Sequence, residues 1–197
     1  MNYRKLHVSH DHPAALPSEK LLAECTVQFV RRSGPGGQHR NKVSTGVVLV
    51  HRPTGIKAEA AERRSQAENR AAALFRLRIN LALEIRRRKK GDRSSLCEAP
   101  EGPLCGKLDL SPFFRPSPLW RSRCRGGQIE INAGHDDFPA LLAEALDLLA
   151  SSDFDPRHSA ETLGCSASQL IKLLKKEPRA MAEVNEERRR RGLHLLR

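Results

Sequence analysis

The chain has 197 residues, enough for one domain or two small ones, and its composition is that of a globular protein. A formal net charge of +12 favours a polyanionic partner, while aromatics at 4 % argue against broad stacking on single-stranded bases and leave phosphate contact and shape. The five cysteines, Cys25, Cys97, Cys105, Cys124 and Cys165, are odd in number and contain no Cys-x-x-Cys pair; neither a disulfide framework nor a common zinc spacing is visible, and no metal or cofactor is implied.

Met1 to Glu24 is polar, is interrupted by Pro13 and Pro17, and lacks the apolar core of a signal peptide. It reads as an arm with at most a short helical turn at Ser18 to Leu22. No stretch is long enough to cross a membrane, so the protein is expected to work in the cytoplasm where it is made. Cys25, Val27 and Phe29 alternate with Thr26 and Gln28, the period of a half-buried strand. Gly46 to Val50 is a valine-rich run, Arg52-Pro53-Thr54-Gly55 has the residues of a type I turn, and Ile56 to Ala60 alternates as a returning strand.

Between the first two strands stands Ser33-Gly34-Pro35-Gly36-Gly37-Gln38-His39-Arg40-Asn41-Lys42. Clustered glycines and a proline end regular structure, and Gly36 and Gly37 open backbone conformations closed to residues with a Cβ. Gln38 brings an amide that donates and accepts, and Arg31, Arg32, Arg40 and Lys42 ring the tip with cations suited to phosphate. The triplet alone decides nothing, because Arg125-Gly126-Gly127-Gln128 repeats it ahead of Ile129 to Asn132, which reads as the start of a strand.

Ser65 and Glu68 form a capping box, and Ala67, Ala71, Leu74, Leu81 and Ile85 recur at helical spacing. Arg86, Arg87, Arg88, Lys89 and Lys90 would occupy the last turn of this helix, with Gly91 stopping it. Five cations in a row exceed what capping needs and point to RNA contact. Gly91 to Cys124, with five prolines, reads as a linker in which Phe113, Phe114 and Trp120 are apolar anchors.

From Gly126 a second unit begins. Asp136 or Asp137 caps a helix carrying Leu141, Leu142, Ala145, Leu148 and Leu149. Arg157 to Leu163 and Ser166 to Glu177 then read as two helices joined by Gly164-Cys165, with Lys172, Lys175 and Lys176 on or beside the outer face of the second. Ala160, Gly164, Leu170 and Leu173 fit a helix-turn-helix pattern, and a ligand-free bundle fits equally. A last helix, Ala180 to Arg191, ends in four arginines, a second candidate RNA contact.

From Cys25 to Glu84 the chain resembles the catalytic domain of bacterial-type class I peptide chain release factors. The resemblance is carried by Ser33 to His39, Asn41-Lys42, Pro53-Thr54-Gly55-Ile56, Arg64-Ser65-Gln66 and Asn69-Arg70, spaced motifs in the family's order. It implies hydrolysis of the peptidyl-tRNA ester in the peptidyl transferase centre of the large ribosomal subunit, with ribosomal RNA as partner, no cofactor, and the protein acting as a monomer. On that reading Gly36 and Gly37 thread a narrow tunnel and aim the Gln38 main-chain N–H at the oxyanion, while the Gln38 side chain orients water. Ser33, Gly34, Pro35 and His39 position the loop; Arg31, Arg32, Arg40, Asn41 and Lys42 contact RNA or order it. The family's glutamine is commonly methylated, which makes Gln38 a modification candidate. Val43, where the family usually has threonine, and Arg40, where a small apolar residue is common, depart from the pattern.

The expected fold is α+β: an arm (1–24), a catalytic domain (25–90) with a small three-stranded sheet, the glycine loop and a long helix, a proline-rich linker (91–125), and a mainly helical unit (126–197) with a helix-turn-helix-like pair. Only Met1 to Glu24 precedes the domain, so codon reading by a preceding recognition region is not expected, and the compact layout is similar to the branch that rescues stalled ribosomes. The alternative is a non-enzymatic ribosome- or nucleic-acid-binding factor that uses the helix-turn-helix-like unit.

Overall fold

A computed structural model describes residues 6–8, 12–31, 44–87 and 115–197. The elements run β1 (Leu6–Val8), a 3-10 turn (Pro13–Ala15), α1 (Ser18–Ala23), β2 (Cys25–Val30), β3 (Gly46–His51), β4 (Lys57–Ala60), α2 (Gln66–Glu84) and β5 (Ile85–Arg87). They continue with α3 (Pro118–Arg123), β6 (Cys124–Arg125), β7 (Gln128–Ile129), α4 (Phe138–Ser151), α5 (Pro156–Leu163), α6 (Ala167–Lys175) and α7 (Pro178–Arg190). The architecture is α+β, as the sequence pattern predicts.

The sheet is antiparallel in the order β2-β3-β4, with Val30 opposite Gly46 and Val47 opposite Ala60. Val47, Leu49, Ala58 and Ala60 are buried on one side, where α2 lies across β3 and β4 and contributes Ala73, Leu77 and Leu81 to the core. The turn after β3 closes with the Gly55 amide donating to the His51 carbonyl at 2.8 Å, Gly55 taking a φ of +73°. His51 is a buried polar node: its Nδ1 meets Thr54 Oγ1 at 2.7 Å and its Nε2 meets Glu24 Oε2 at 3.0 Å.

Two expectations are corrected here. The long helix does not run through the basic stretch: α2 ends at Glu84, Ile85 is extended, and β5 pairs in parallel with β1, Leu6 opposite Ile85. The reason is a competing partner. The Arg87 amide, which a helix would direct to a carbonyl one turn back, donates instead to Asp147 Oδ1 at 3.0 Å, and the Arg87 side chain reaches Asp147 Oδ2 at 2.8 Å. The segment before the sheet, expected as an arm, includes a six-residue helix and core residues: Ala14 and Leu21 are buried, and the Arg78 guanidinium donates to the Leu16 carbonyl. His12 is buried beneath β5, its Nδ1 accepting from the Ala14 amide at 3.1 Å and its Nε2 lying 3.3 Å from the Ile85 carbonyl.

Helix α4 joins the two halves. Every residue from Phe138 to Leu149 is buried, and α4 packs against α2 on one side and α5 and α6 on the other. Its two internal carboxylates have dedicated partners: Asp147 takes Arg87, and Glu144 accepts from the Ser117 amide at 2.7 Å and the Ser117 hydroxyl at 2.6 Å. Part of the expected linker is helical, since Ser117 caps α3 and Pro118 sits in its first turn, where its missing N–H costs nothing. Trp120 is buried as expected and donates from Nε1 to the Leu163 carbonyl at 2.9 Å. Phe113 and Phe114 lie outside the described residues.

The α5–α6 pair has the predicted form. Gly164 takes the left-handed conformation at φ +70°, Ser166 caps α6 by accepting from the Gln169 amide at 3.3 Å, and Leu163, Leu170 and Leu173 are buried. In α7 the arginine run is largely committed: Arg188 is buried and donates to the His194 carbonyl at 2.7 Å, while Arg189, Arg190 and Arg191 pair with Glu186 and Glu187 of the same helix. The second Gly-Gly-Gln triplet forms the tight turn of the β6–β7 hairpin, with φ of +56° at Gly126 and +76° at Gly127.

Asp147→Ala leaves the Arg87 amide and a half-buried guanidinium without their carboxylate, and should cost about 2–4 kcal/mol in a denaturant titration. Burial holds the His12 pKa below its ordinary value of 6.5. The folded chain therefore binds fewer protons than the unfolded one once pH falls below that value, so this contribution to stability is present above it and is lost as pH falls toward the lower folded pKa. Unfolding titrations at descending pH should show a decline through this window that is shallower in His12→Gln.

Candidate functional site

The glycine loop leaves the sheet after β2 and returns into β3. Gly36, Gly37 and Gln38, the flanking Ser33, Gly34, Pro35 and His39, and the cations Arg32, Arg40 and Lys42 with Asn41 all lie outside the described residues, as does the modification candidate at Gln38. What the structure describes is the root on either side of them. The root is narrow because Val30 and Gly46 are paired neighbours in the sheet, so the loop leaves and re-enters at adjacent points.

Gly46 is required by close approach. A Cβ there would lie 2.9 Å from both Val30 Cγ2 and the Val30 carbonyl oxygen, and 3.2 Å from Ala61 Cβ. Arg31 and Ser44, one residue beyond β2 and two before β3, are joined by the Arg31 Nε donating to Ser44 Oγ at 3.3 Å. Arg31, expected to contact RNA or order the loop, thus ties its two ends.

The first turns of α2 supply the rest of the clamp. Gln66 Nε2 donates to the Ser44 carbonyl at 3.1 Å. Asn69, with no solvent exposure, donates from Nδ2 to the Thr45 carbonyl at 2.8 Å and to the Arg63 carbonyl at 2.9 Å, and its Oδ1 accepts from the Arg63 amide at 2.9 Å. Three bonds on one buried amide connect the returning end of the loop, the turn after β4 and the start of α2. Around this clamp Arg31, Arg63, Arg64 and Arg70 are exposed, so the root carries positive charge facing solvent.

The basic run predicted as an RNA contact is used differently where it is described. Arg86 is 4 % exposed, donates to the Ala82 carbonyl at 2.7 Å and pairs with Glu183; Arg87 is held by Asp147. As folded, Arg86 is sequestered from a polyanion. Arg88, Lys89 and Lys90 lie outside the described residues. Sequence reasoning quoted Asn69 within a motif but gave it no role, and did not single out Gly46 or Ser44. The available signal was helical: Asn69, Ala73 and Leu77 share one stripe, and a polar residue on a buried stripe calls for partners.

Compared with known proteins, residues 21–101 match the RF-1 domain family. The chain carries an RF-1 domain. That domain starts in α1 and includes the sheet, the loop and α2, so the clamp described above lies wholly inside it. The chain is also similar to peptide chain release factor 2 of Treponema pallidum, 35% identical over 106 residues, covering 52% of this chain and 29% of that protein. It is similar to peptide chain release factor 1 of Leptothrix cholodnii, 38% identical over 141 residues (72% of this chain, 37% of the relative). Peptide chain release factor 1 of Frankia casuarinae is 31% identical over 137 residues (68% and 37%). The chain thus spans about a third of the length of the curated relatives it matches.

Asn69→Ala leaves the Arg63 amide and carbonyl and the Thr45 carbonyl without their partner and should destabilise the RF-1 domain by about 2–4 kcal/mol. Gly46→Ala should cost about 1–3 kcal/mol through displacement of β2. Chemical denaturation measures both, and wild-type midpoints in both variants would contradict the clamp.

Proposed function

We propose that this protein hydrolyses the ester of peptidyl-tRNA in the ribosomal peptidyl transferase centre and does so as a codon-independent rescue factor for stalled ribosomes. The observation that carries this reading is the Ser33 to Lys42 sequence set on a clamped root inside an RF-1 domain. Ester hydrolysis needs an oriented water and donors aimed at the developing oxyanion. Gly36 and Gly37 let the backbone pass close to RNA and present the Gln38 N–H to that oxyanion, and the Gln38 side chain holds the water. Ser33, Gly34, Pro35 and His39 shape the loop, while Arg32, Arg40, Asn41 and Lys42 meet ribosomal RNA. The surroundings that complete the site come from ribosomal RNA and the tRNA terminus, which fits a small monomer acting in the cytoplasm without a cofactor. Gln38 is then the position open to amide methylation.

The helical unit supplies targeting. Because α4 is buried against α2, this role is tested with surface variants of the whole chain rather than by removing the unit. The α5–α6 pair supports a second reading, a nucleic-acid-binding factor without hydrolysis, since Lys172 and Lys175 are exposed on a helix that follows a left-handed glycine turn.

Stalled ribosomes carrying labelled peptidyl-tRNA decide between them. Release by the native chain, lowered roughly 100-fold or more in Gly37→Ala and in Gln38→Ala while ribosome binding persists, is the expected result. Binding without release by the native chain would favour the second reading.

A further inference from the structure

The RF-1 domain and the helical unit meet along the free edge of the sheet, and what they build there is a cleft of about 630 Å³ lined by Val48, Lys57, Glu59, Arg76, Asn80 and Arg179. Strand β4 is an edge strand, and two of its outward carbonyls are taken by side chains of α2. Asn80 Nδ2 donates to the Lys57 carbonyl at 2.9 Å and Arg76 Nη1 to the Glu59 carbonyl at 2.8 Å. The far wall comes from α7, whose Arg179 donates from Nη1 to Asn80 Oδ1 at 2.9 Å and from Nε to Glu177 Oε1 at 2.8 Å. All of its lining except Arg179 belongs to the RF-1 domain, and Arg179 closes the side toward the helical unit.

Of the charged groups that line it three are cations and one, Glu59, is a carboxylate that already has a partner; Glu62 and Glu177 stand beside the lining. Arg76 is anchored by Glu62 at 2.7 Å and Arg179 by Glu177, yet the two side chains are 46% and 58% exposed and each guanidinium keeps donors beyond those anchors. Lys57 is exposed on the same wall. Planar guanidinium forks held by side-chain anchors, beside an exposed ammonium, suit phosphate oxygens. Val48 and Ala58 contribute apolar lining beside these cations.

Its position adds a second argument. Lys57 pairs with Val50 and Ala60 with Val47, so the cleft lies on the same strand pair as the loop root, three residues or roughly 10 Å further along. A polyanion that meets the exposed arginines at the root passes the cleft. We propose that this inter-unit cleft binds the phosphate backbone of RNA, with Lys57 and Arg179 as the contacts that the polyanion gains and Arg76 as the fixed cation between them. The proposal rests on the release-factor reading only in naming ribosomal RNA as the source.

The test uses the full chain with two probes, vacant 70S ribosomes and a 20-base-pair RNA duplex. Lys57→Gln with Arg179→Gln should weaken binding to each about tenfold and reduce the slope of log affinity against log salt by roughly 1 to 2. The exposed pair Lys20→Gln with Arg121→Gln, which removes equal charge outside the cleft, should change affinity less than threefold. Because Arg179→Gln gives up the bonds to Asn80 and Glu177, Lys57→Gln alone, which disturbs neither, should melt as wild type and still weaken binding about threefold. A photo-crosslinker at position 57 should capture ribosomal RNA. Equal losses in the cleft and control pairs, unchanged affinity in the cleft pair, capture of a ribosomal protein alone, or no binding of the native chain to either probe would each overturn the proposal. Peptide release by a chain whose binding ignores the cleft variant would sink this inference and leave the release reading standing. Cleft-dependent binding without release would do the reverse.

Discussion

The burial of α4 is the constraint on which the rest of the molecule depends. Twelve consecutive residues, Phe138 to Leu149, are removed from solvent, which needs covering elements on all sides. The cover comes from α2, the N-terminal 3-10 turn, β5, α5 and α6. Each buried leucine of α4 contributes about 1.5–3 kcal/mol relative to leaving it exposed, so taking either half away would uncover a costly apolar surface. The carboxylates inside this helix also shape the chain around it, because Asp147 draws Arg87 out of helical geometry and Glu144 fixes the start of α3.

The loop root follows a different logic. Apolar packing positions the sheet against α2, but the returning end of the loop is held by polar groups, Gln66 on Ser44 and Asn69 on Thr45, and by contact too close for a side chain at Gly46. Directional bonds suit a place where a segment must be presented in a defined orientation, since apolar contact is tolerant of rotation and a saturated buried amide is not. The clamp reaches back through Asn69 into a helix that is itself braced by α4, so the root is linked to the helical unit through one rigid element.

Much of this was legible in the sequence. The turn at Arg52 to Gly55, the Ser65 cap and the Gly164 turn express local rules of period and capping and are found; the strand from Cys25 is present but Phe29, expected on its half-buried side, is 53% exposed, and α4 is buried all round rather than along a stripe. The misses at Ile85 to Arg87 and before β2 share a cause. Ile85 to Arg87 leaves the helix, and the stretch before β2 joins the core, because of partners distant in the chain: Asp147, Glu183 and Arg78. No local pattern announces a carboxylate sixty residues downstream. Likewise Arg86 looked like surface charge because its neighbours are cations, whereas its environment is set by α7. Of the candidate site, the motif was visible in the sequence, and the clamp was visible only as one polar residue on an apolar stripe.

The β6–β7 hairpin places a second Gly-Gly-Gln in the same polypeptide, with both glycines consumed by a two-residue turn and Gln128 already in strand register with Arg125. The chain thus holds the same tripeptide twice, once in a hairpin turn and once in the segment between β2 and β3. Any modifying enzyme or antibody that reads the tripeptide as a linear word meets two copies, so a choice between them must come from backbone conformation or from the flanking residues. The protein carries its own calibration standard for recognition by shape as opposed to recognition by spelling.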